Sequence, residues 1–304
     1  MTTIKAPFPY TGKKSMIADT VWRALGEVTT YVEPFAGSCA VLLARPQPFT
    51  GLEVVNDANG FVSNFWRAVQ QSPDEVARYA DHPALENDLH ARHKWLWERQ
   101  GQLQQKLETD PDWCDTKIAG WWVWGMSNFF SGAWCVRKPN RCKLITNQQG
   151  VMASDADPYR WMDELQARLH RVRVLCGDFK RALTPSVVGN YPTQTGVAGV
   201  FLDPPYDGGD QRVYGGIDGN AIFKDALDWA VANASPKVRV VLAGYDSRPM
   251  PEGWREIPWK GHGGHGRRRD NGENTNYERE RLWLSPSCIN PLAQPTSIDE
   301  LLGM

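Results

Sequence analysis

The sequence predicts an α/β fold, a parallel sheet with helices on both faces that is interrupted by an inserted helical segment. Three observations carry that prediction. Short apolar runs ending in an acid or a turn alternate with stretches of helical periodicity, the pattern of a sheet covered on both sides. Residues 61–169 depart from it, reading as helical, rich in Trp, Gln, Arg and His, with few strand signals. The composition, 304 residues of which 41% are hydrophobic and 23% charged, supports one large core or a domain with an insertion.

Residues 15–26 predict the first helix: Ser15 is a candidate cap, Ile17, Val21 and Leu25 fall at helical spacing, and Gly26 terminates it. Residues 30–43 then read as strand, glycine-containing turn and helix, and residues 52–57 as a second strand ending in Asp57. After the helical stretch the strand rhythm resumes at residues 172–178, 199–203, 238–243 and 281–285. Residues 260–277, KGHGGHGRRRDNGENTNY, predict a mobile basic loop between the last two strands, and the Pro- and Ser-rich residues 285–304 a tail extending from the fold.

The bulk properties exclude some classes of function. A net charge of −1 rules out a polycation, so any nucleic-acid contact must rest on local basic clusters. No apolar stretch reaches the roughly 20 residues needed to span a bilayer, and the N-terminal residues lack the apolar core of a secretory signal; the expectation is a cytoplasmic protein without membrane contact. The six cysteines form no CxxC pair, which fits reduced thiols, and no metal site is expected. Fourteen tryptophans, five of them between Trp113 and Trp134, point first to packing of the helical segment and second to base stacking.

Ligands of open parallel sheets bind beyond the carboxyl ends of the strands, and four sequence features fall there. In VEPFAGSCAV, Gly37 permits close backbone approach, and the start of the next helix offers free N–H groups to an anion. Asp57 lies twenty residues further on, where nucleotide-binding folds hold ribose hydroxyls. In CGDF, Asp178 suits an adenine amino group and Phe179 its ring face. Each of these also reads as plain architecture, a turn glycine or a helix cap. The fourth, FLDPPYD, is the most specific. Pro204 and Pro205 fix the backbone and remove two donors, leaving the Asp203 carboxylate and the Pro204 carbonyl as outward acceptors beside the flat face of Tyr206. Two acceptors next to an aromatic plate suit a planar ring that bears an exocyclic NH2.

These motifs, in the order PYTGKKS, EPFAGS, NDAN, GDF and DPPY, resemble those of the Dam-type, alpha-class DNA adenine-N6 methyltransferases. Tyr10, Gly12 and Lys14 match the family's Tyr-x-Gly-Gly-Lys opening, with Lys13 in place of the second glycine. The ERLWLS segment and the Trp-rich insertion resemble phage-borne members, some of which serve restriction-modification systems. The resemblance implies a Rossmann-like class I methyltransferase sheet and S-adenosyl-L-methionine as cofactor. It implies that Tyr10, Gly12, Lys14 and Asp203 lie at the cofactor, that Glu33, Phe35 and Gly37 hold its methionine part, that Asp57 binds its ribose, and that Asp178 and Phe179 hold its adenine. Residues 1–60 and 172–286 would form the catalytic domain, residues 61–171 an inserted DNA target-recognition subdomain, and residues 287–304 a tail.

The implied reaction is direct methyl transfer to a base flipped out of double-stranded DNA, with Asp203, Pro204, Pro205 and Tyr206 at the target amino group. The chain has no Pro-Cys dipeptide of the kind that supplies a nucleophile in cytosine-C5 enzymes. DNA phosphates would meet Arg137, Lys138 and Arg141, with Lys143 beside them, and the run Arg267, Arg268, Arg269; solvated surface charge is the plainer reading of both clusters. The expected assembly is a monomer or weak dimer. Two alternatives stay open: methylation of another amino group (cytosine N4, adenine in RNA, a glutamine amide), and a cofactor-binding DNA-recognition protein without turnover.

Overall fold

Alternation along the strands divides the interior into two cores. In the computed structural model, which describes residues 4–10, 12, 14–46, 49–110, 112–129, 134–136, 138–139, 143–145, 147–189, 196–206, 219–246, 250–259 and 279–292, Tyr31, Val55, Phe201, Val241 and Leu282 face one layer of helices. Their neighbours Val32, Val54, Val200, Val240 and Trp283 face another, as a period of two requires. Helices therefore cover both faces.

The strands are β1 (Thr30–Glu33), β2 (Leu52–Asp57), β3 (Val172–Cys176), β4 (Ala198–Leu202), β5 (Val238–Tyr245), β6 (Arg255–Pro258) and β7 (Glu280–Leu284). They form a 7-stranded sheet in the order β3-β2-β1-β4-β5-β7-β6. The first five run parallel. The all-parallel expectation fails at the edge, where β7 is antiparallel to both β5 and β6. Apolar periodicity is the same for a strand of either direction, so the sequence carries no signal for this reversal. Strand β6 was not anticipated either, because its four residues alternate half-buried and exposed and include two charges and a proline. The reversal matters for the site: the first residue of β7, Glu280, pairs with the last of β5, Tyr245, and so arrives at the carboxyl ends of the parallel strands.

Helix α1 spans Ala18–Leu25. The expected Ser15 cap is not used, since Ser15 lies inside a 3-10 turn (Lys14–Met16) and Ile17, which has no capping side chain, holds the N-cap position. Gly26 does end the helix, at φ 60°, with its N–H donating to the Trp22 carbonyl. Helix α2 is the single turn Ala40–Leu43.

The segment between β2 and β3 contains α3 (Gly60–Gln71), α4 (Pro73–Ala80), α5 (Glu86–Trp97), α6 (Gln100–Thr109), α7 (Thr116–Asn128) and α8 (Pro158–Leu169). Helix α4 packs on α7 and α8, and α3 packs on α7 and on β3, so these helices share one core with the sheet face they cover. The tryptophans of this region pack as the first of the two readings has it: Trp122, Trp124 and Trp134 are buried. Gly125 makes room for Trp134, since a Cβ there would lie 2.0 Å from the indole.

The short helix α9 (Pro185–Val188) lies between β3 and β4, and α10 (Gly219–Asn233), after β4, covers the second face. The start of the expected tail does not extend from the fold. Ser285 N–H donates to Val240 O at 2.9 Å, Cys288 is buried, and Ile289 N–H donates to Ala24 O at 2.9 Å. Residues 260–278, with the expected loop, lie outside the described residues.

Candidate active site

The loops after β1, β2 and β3 meet through backbone bonds. Gly37, at φ 46°, turns the chain back, and a Cβ there would sit 2.4 Å from the Tyr10 ring. Its N–H donates to Asp57 Oδ2 at 2.9 Å, while Asn59 N–H donates to Asp57 Oδ1 at 2.8 Å. The buried Asn56 amide donates to Pro34 O and to Gly177 O, both at 3.0 Å, and so ties the first loop to the third. Burial pushes the Asp57 carboxyl up to about 6, against the pull of the two amides.

Glu33 is buried at the end of β1, where its Oε2 accepts from Tyr31 Oη at 2.9 Å and from Leu42 N–H at 3.2 Å. The free N–H groups expected at the start of α2 are thus partly claimed by the protein's own carboxylate. Burial pushes Glu33 up to about 8. Phe35 stacks on Phe179, with centroids 5.0 Å apart. Asp178 is exposed and accepts from Lys180 N–H at 2.8 Å, the helix-cap arrangement.

Across the sheet, the β4 end carries the second half of the site. Lys14 Nζ lies 3.1 Å from Asp203 Oδ1 and donates to Tyr206 Oη at 2.8 Å. Its ammonium also lies 5.0 Å from the Tyr206 centroid and 5.4 Å from that of Trp259. Gly12 adopts φ 87°, a left-handed conformation that strains any residue with a Cβ, and it packs under the end of the Lys14 side chain. Burial raises the Asp203 carboxyl, and the Lys14 charge opposes the rise. Pro204 is buried and Pro205 half-buried. Tyr206 was expected as an open plate; here it is 9% exposed, edge-to-face with Tyr245 at 4.7 Å. A lysine ammonium, itself an N–H donor, stands at Asp203, one of the two acceptors expected for the target amine.

Between the halves lies a pocket lined by Tyr10, Lys14, Glu33, Phe35, Ser38 and Asp203. The Asp203 carboxylate, the Glu33 carboxyl as an acceptor and the rings of Tyr10 and Phe35 suit a ligand that carries a sulfonium and an ammonium, so the residues fit S-adenosylmethionine. Further lone pairs on Asp57, whose oxygens each hold one amide, leave it able to take ribose hydroxyls.

The structure thus brings Tyr10, Gly12, Lys14, Glu33, Phe35, Gly37, Asp57, Asp178, Phe179 and Asp203 to the same end of the sheet as Pro204, Pro205 and Tyr206. Lys138 and Lys143 are exposed; Arg137, Arg141, Arg267, Arg268 and Arg269 lie outside the described residues. Sequence reasoning missed Tyr245, Trp259 and Glu280, which surround Tyr206 and Lys14. The one available signal is an acid at the head of the strand ERLWL, ahead of its apolar Leu282, Trp283 and Leu284.

A model of the D12 class N6 adenine-specific DNA methyltransferase family matches residues 10–228, more than half of the chain. A search of curated proteins found no significant match.

Proposed function

The chain belongs to the D12 class of N6 adenine-specific DNA methyltransferases, and from that premise we propose how its residues divide the work. The enzyme methylates adenine N6 in DNA and uses S-adenosylmethionine. When bound, the cofactor supplies an electrophilic methyl group on a sulfonium. Glu33 and Phe35, with the turn at Gly37, hold the methionine part, Asp57 the ribose, and Asp178 and Phe179 the adenine.

Asp203 and the Pro204 carbonyl accept the two hydrogens of the target N6. An aniline-like nitrogen donates its lone pair into the ring and is a poor nucleophile; drawing on its hydrogens returns electron density to it. The pairing of Lys14 with Asp203 carries this reading, since it places an N–H donor at one of the two acceptors that the base must reach. Lys14 swings aside as the extruded base enters, and Tyr206 then packs on the ring, unstacking from the duplex costing a few kcal/mol. Residues 61–171 act as the target-recognition subdomain, with Lys138, Lys143 and the Arg137, Arg141 and 267–269 arginines on phosphates. The protein acts as a monomer or weak dimer in the cytoplasm; no helix among the described residues is long and apolar enough to cross a membrane.

The test is transfer of a labelled methyl group to unmethylated duplex DNA, followed by hydrolysis to nucleosides. Label in N6-methyladenosine, lost in Asp203→Ala, is the expected result. Label in N4-methylcytosine would overturn the reading.

A further inference from the structure

The family match ends at residue 228, before Tyr245, Trp259 and Glu280, yet these residues close the transfer half of the site. Glu280 is 8% exposed and its backbone is fixed from two sides, by its pairing with Tyr245 and by Trp259 N–H donating to its carbonyl at 3.1 Å. Its side chain lies within hydrogen-bonding reach of the Tyr206 hydroxyl, as does that of Asp203, and the single hydroxyl hydrogen can serve one of the two carboxyls at a time. Its Oε2 is buried with no hydrogen-bond partner among the described residues. A buried carboxylate oxygen without a donor is costly to a fold that needs only a strand end there.

The reaction leaves one proton to place. N6 begins with two hydrogens and ends with one hydrogen and a methyl carbon, so one N–H bond breaks, its electron pair stays on nitrogen, and the proton goes to an acceptor. Asp203 is the first acceptor in reach. A protonated Asp203 can no longer take the next amine's hydrogen, and it must be cleared.

We propose that Glu280 is a positioning residue of this site that holds the Tyr206 hydroxyl and takes up, through it, the proton released from N6. Asp203 passes the proton to the Tyr206 oxygen as the hydroxyl passes its own to Glu280, so Tyr206 ends unchanged and Asp203 is restored. This inference rests on the assignment of Asp203 and Tyr206 to the target base. Burial pushes Glu280 up to about 7, with Lys14 and the Tyr206 bond opposing and Asp203 adding to the rise, which suits an acceptor that must later release its proton to solvent. The groups packed around it are Lys14 from the 3-10 turn, Asp203 and Tyr206 from the β4 end, Tyr245 from β5, and Trp259 after β6. Arg279 pairs with Asp246, and Arg281 with Asp246 and Glu256, so both neighbouring arginines are already engaged.

The test compares the parent, Glu280→Gln and Tyr206→Phe in single-turnover transfer from labelled S-adenosylmethionine to unmethylated duplex DNA across pH. Cofactor affinity and an infrared pH titration accompany it. The parent rate should rise with pH through a limb near neutrality. Glu280→Gln should lose that limb and slow by about tenfold or more, with cofactor affinity unchanged. Tyr206→Phe, which keeps the ring, should slow by the same factor, and the double variant no further. Beside the bands of the raised Asp57 and Glu33 carboxyls, which both proteins share, the parent-minus-Glu280→Gln difference spectrum should show one further protonated-carboxyl band that titrates near neutrality. Parental rate and pH profile in Glu280→Gln, or parental rate in Tyr206→Phe, overturns the relay. A parent that transfers nothing overturns the proposed function instead, and the infrared band, which needs no turnover, then decides whether Glu280 titrates at this site.

Discussion

The two halves of the site are built by different means. On the cofactor side, carboxylates are held largely by the main chain: Asp57 by the amides of Gly37 and Asn59, Glu33 by the amide of Leu42 together with a tyrosine hydroxyl. On the transfer side, Asp203, Lys14, Tyr206 and Glu280 are held by one another's side chains, drawn from three separate segments. Main-chain bonds fix a ligand site before the ligand arrives, whereas side-chain pairs can be exchanged. The difference matches two tasks, retaining a cofactor of constant shape and admitting a base that must displace a resident ammonium.

The largest expected effect breaks the transfer half alone. Asp203→Ala should lower methyl transfer by about 10²–10³-fold, the scale of losing one preorganised group at the reacting centre, and cofactor affinity by much less, since Asp203 is one of several groups lining the pocket. Comparable losses of both would show the halves to be one unit. Gly37→Ala should do the reverse, straining a left-handed turn by about 1–2 kcal/mol and driving a Cβ into Tyr10, with cofactor affinity down about tenfold. Isothermal titration with the cofactor measures it.

A pH experiment sharpens the contrast further. Glu33 has its carboxyl raised from 4.5 to about 8, so across that window the folded protein holds a proton that the unfolded chain has released, and stability falls as pH rises. Glu33→Gln should flatten this fall, seen as a smaller drop in Tm between pH 5 and pH 8 (about that range, set by the shift). The smallest effects belong to the surface: Lys138→Ala or Lys143→Ala should weaken DNA binding by about two- to threefold and reduce the salt slope by about one, leaving cofactor binding untouched.

The same division decides what could be read in the sequence. Gly37, Asp57 and Asp203 stand out because a turn glycine and an acid at a strand end leave local, ordered traces. Six of the seven strands are legible as apolar runs, and β2 has the expected bounds. The direction of β7 was not legible, since it depends on which neighbour the strand meets rather than on its own residues. With that direction went Glu280, whose place beside Tyr206 exists only once an antiparallel edge strand has delivered it. Lys14 was expected near the cofactor, but its pairing with Asp203 spans 189 positions of chain and leaves no local pattern. The unused Ser15 cap shows the opposite error, a local pattern overruled by the tertiary need to bring Lys14 to the site.

Asn56 has a kinetic corollary. One side-chain amide clasps the carbonyls of Pro34 and Gly177, so the protein's own bonds hold together the three loops proposed to receive the cofactor. Stopped-flow association should then follow a single exponential whose rate climbs linearly with cofactor concentration, without the plateau that a slow ordering step would impose.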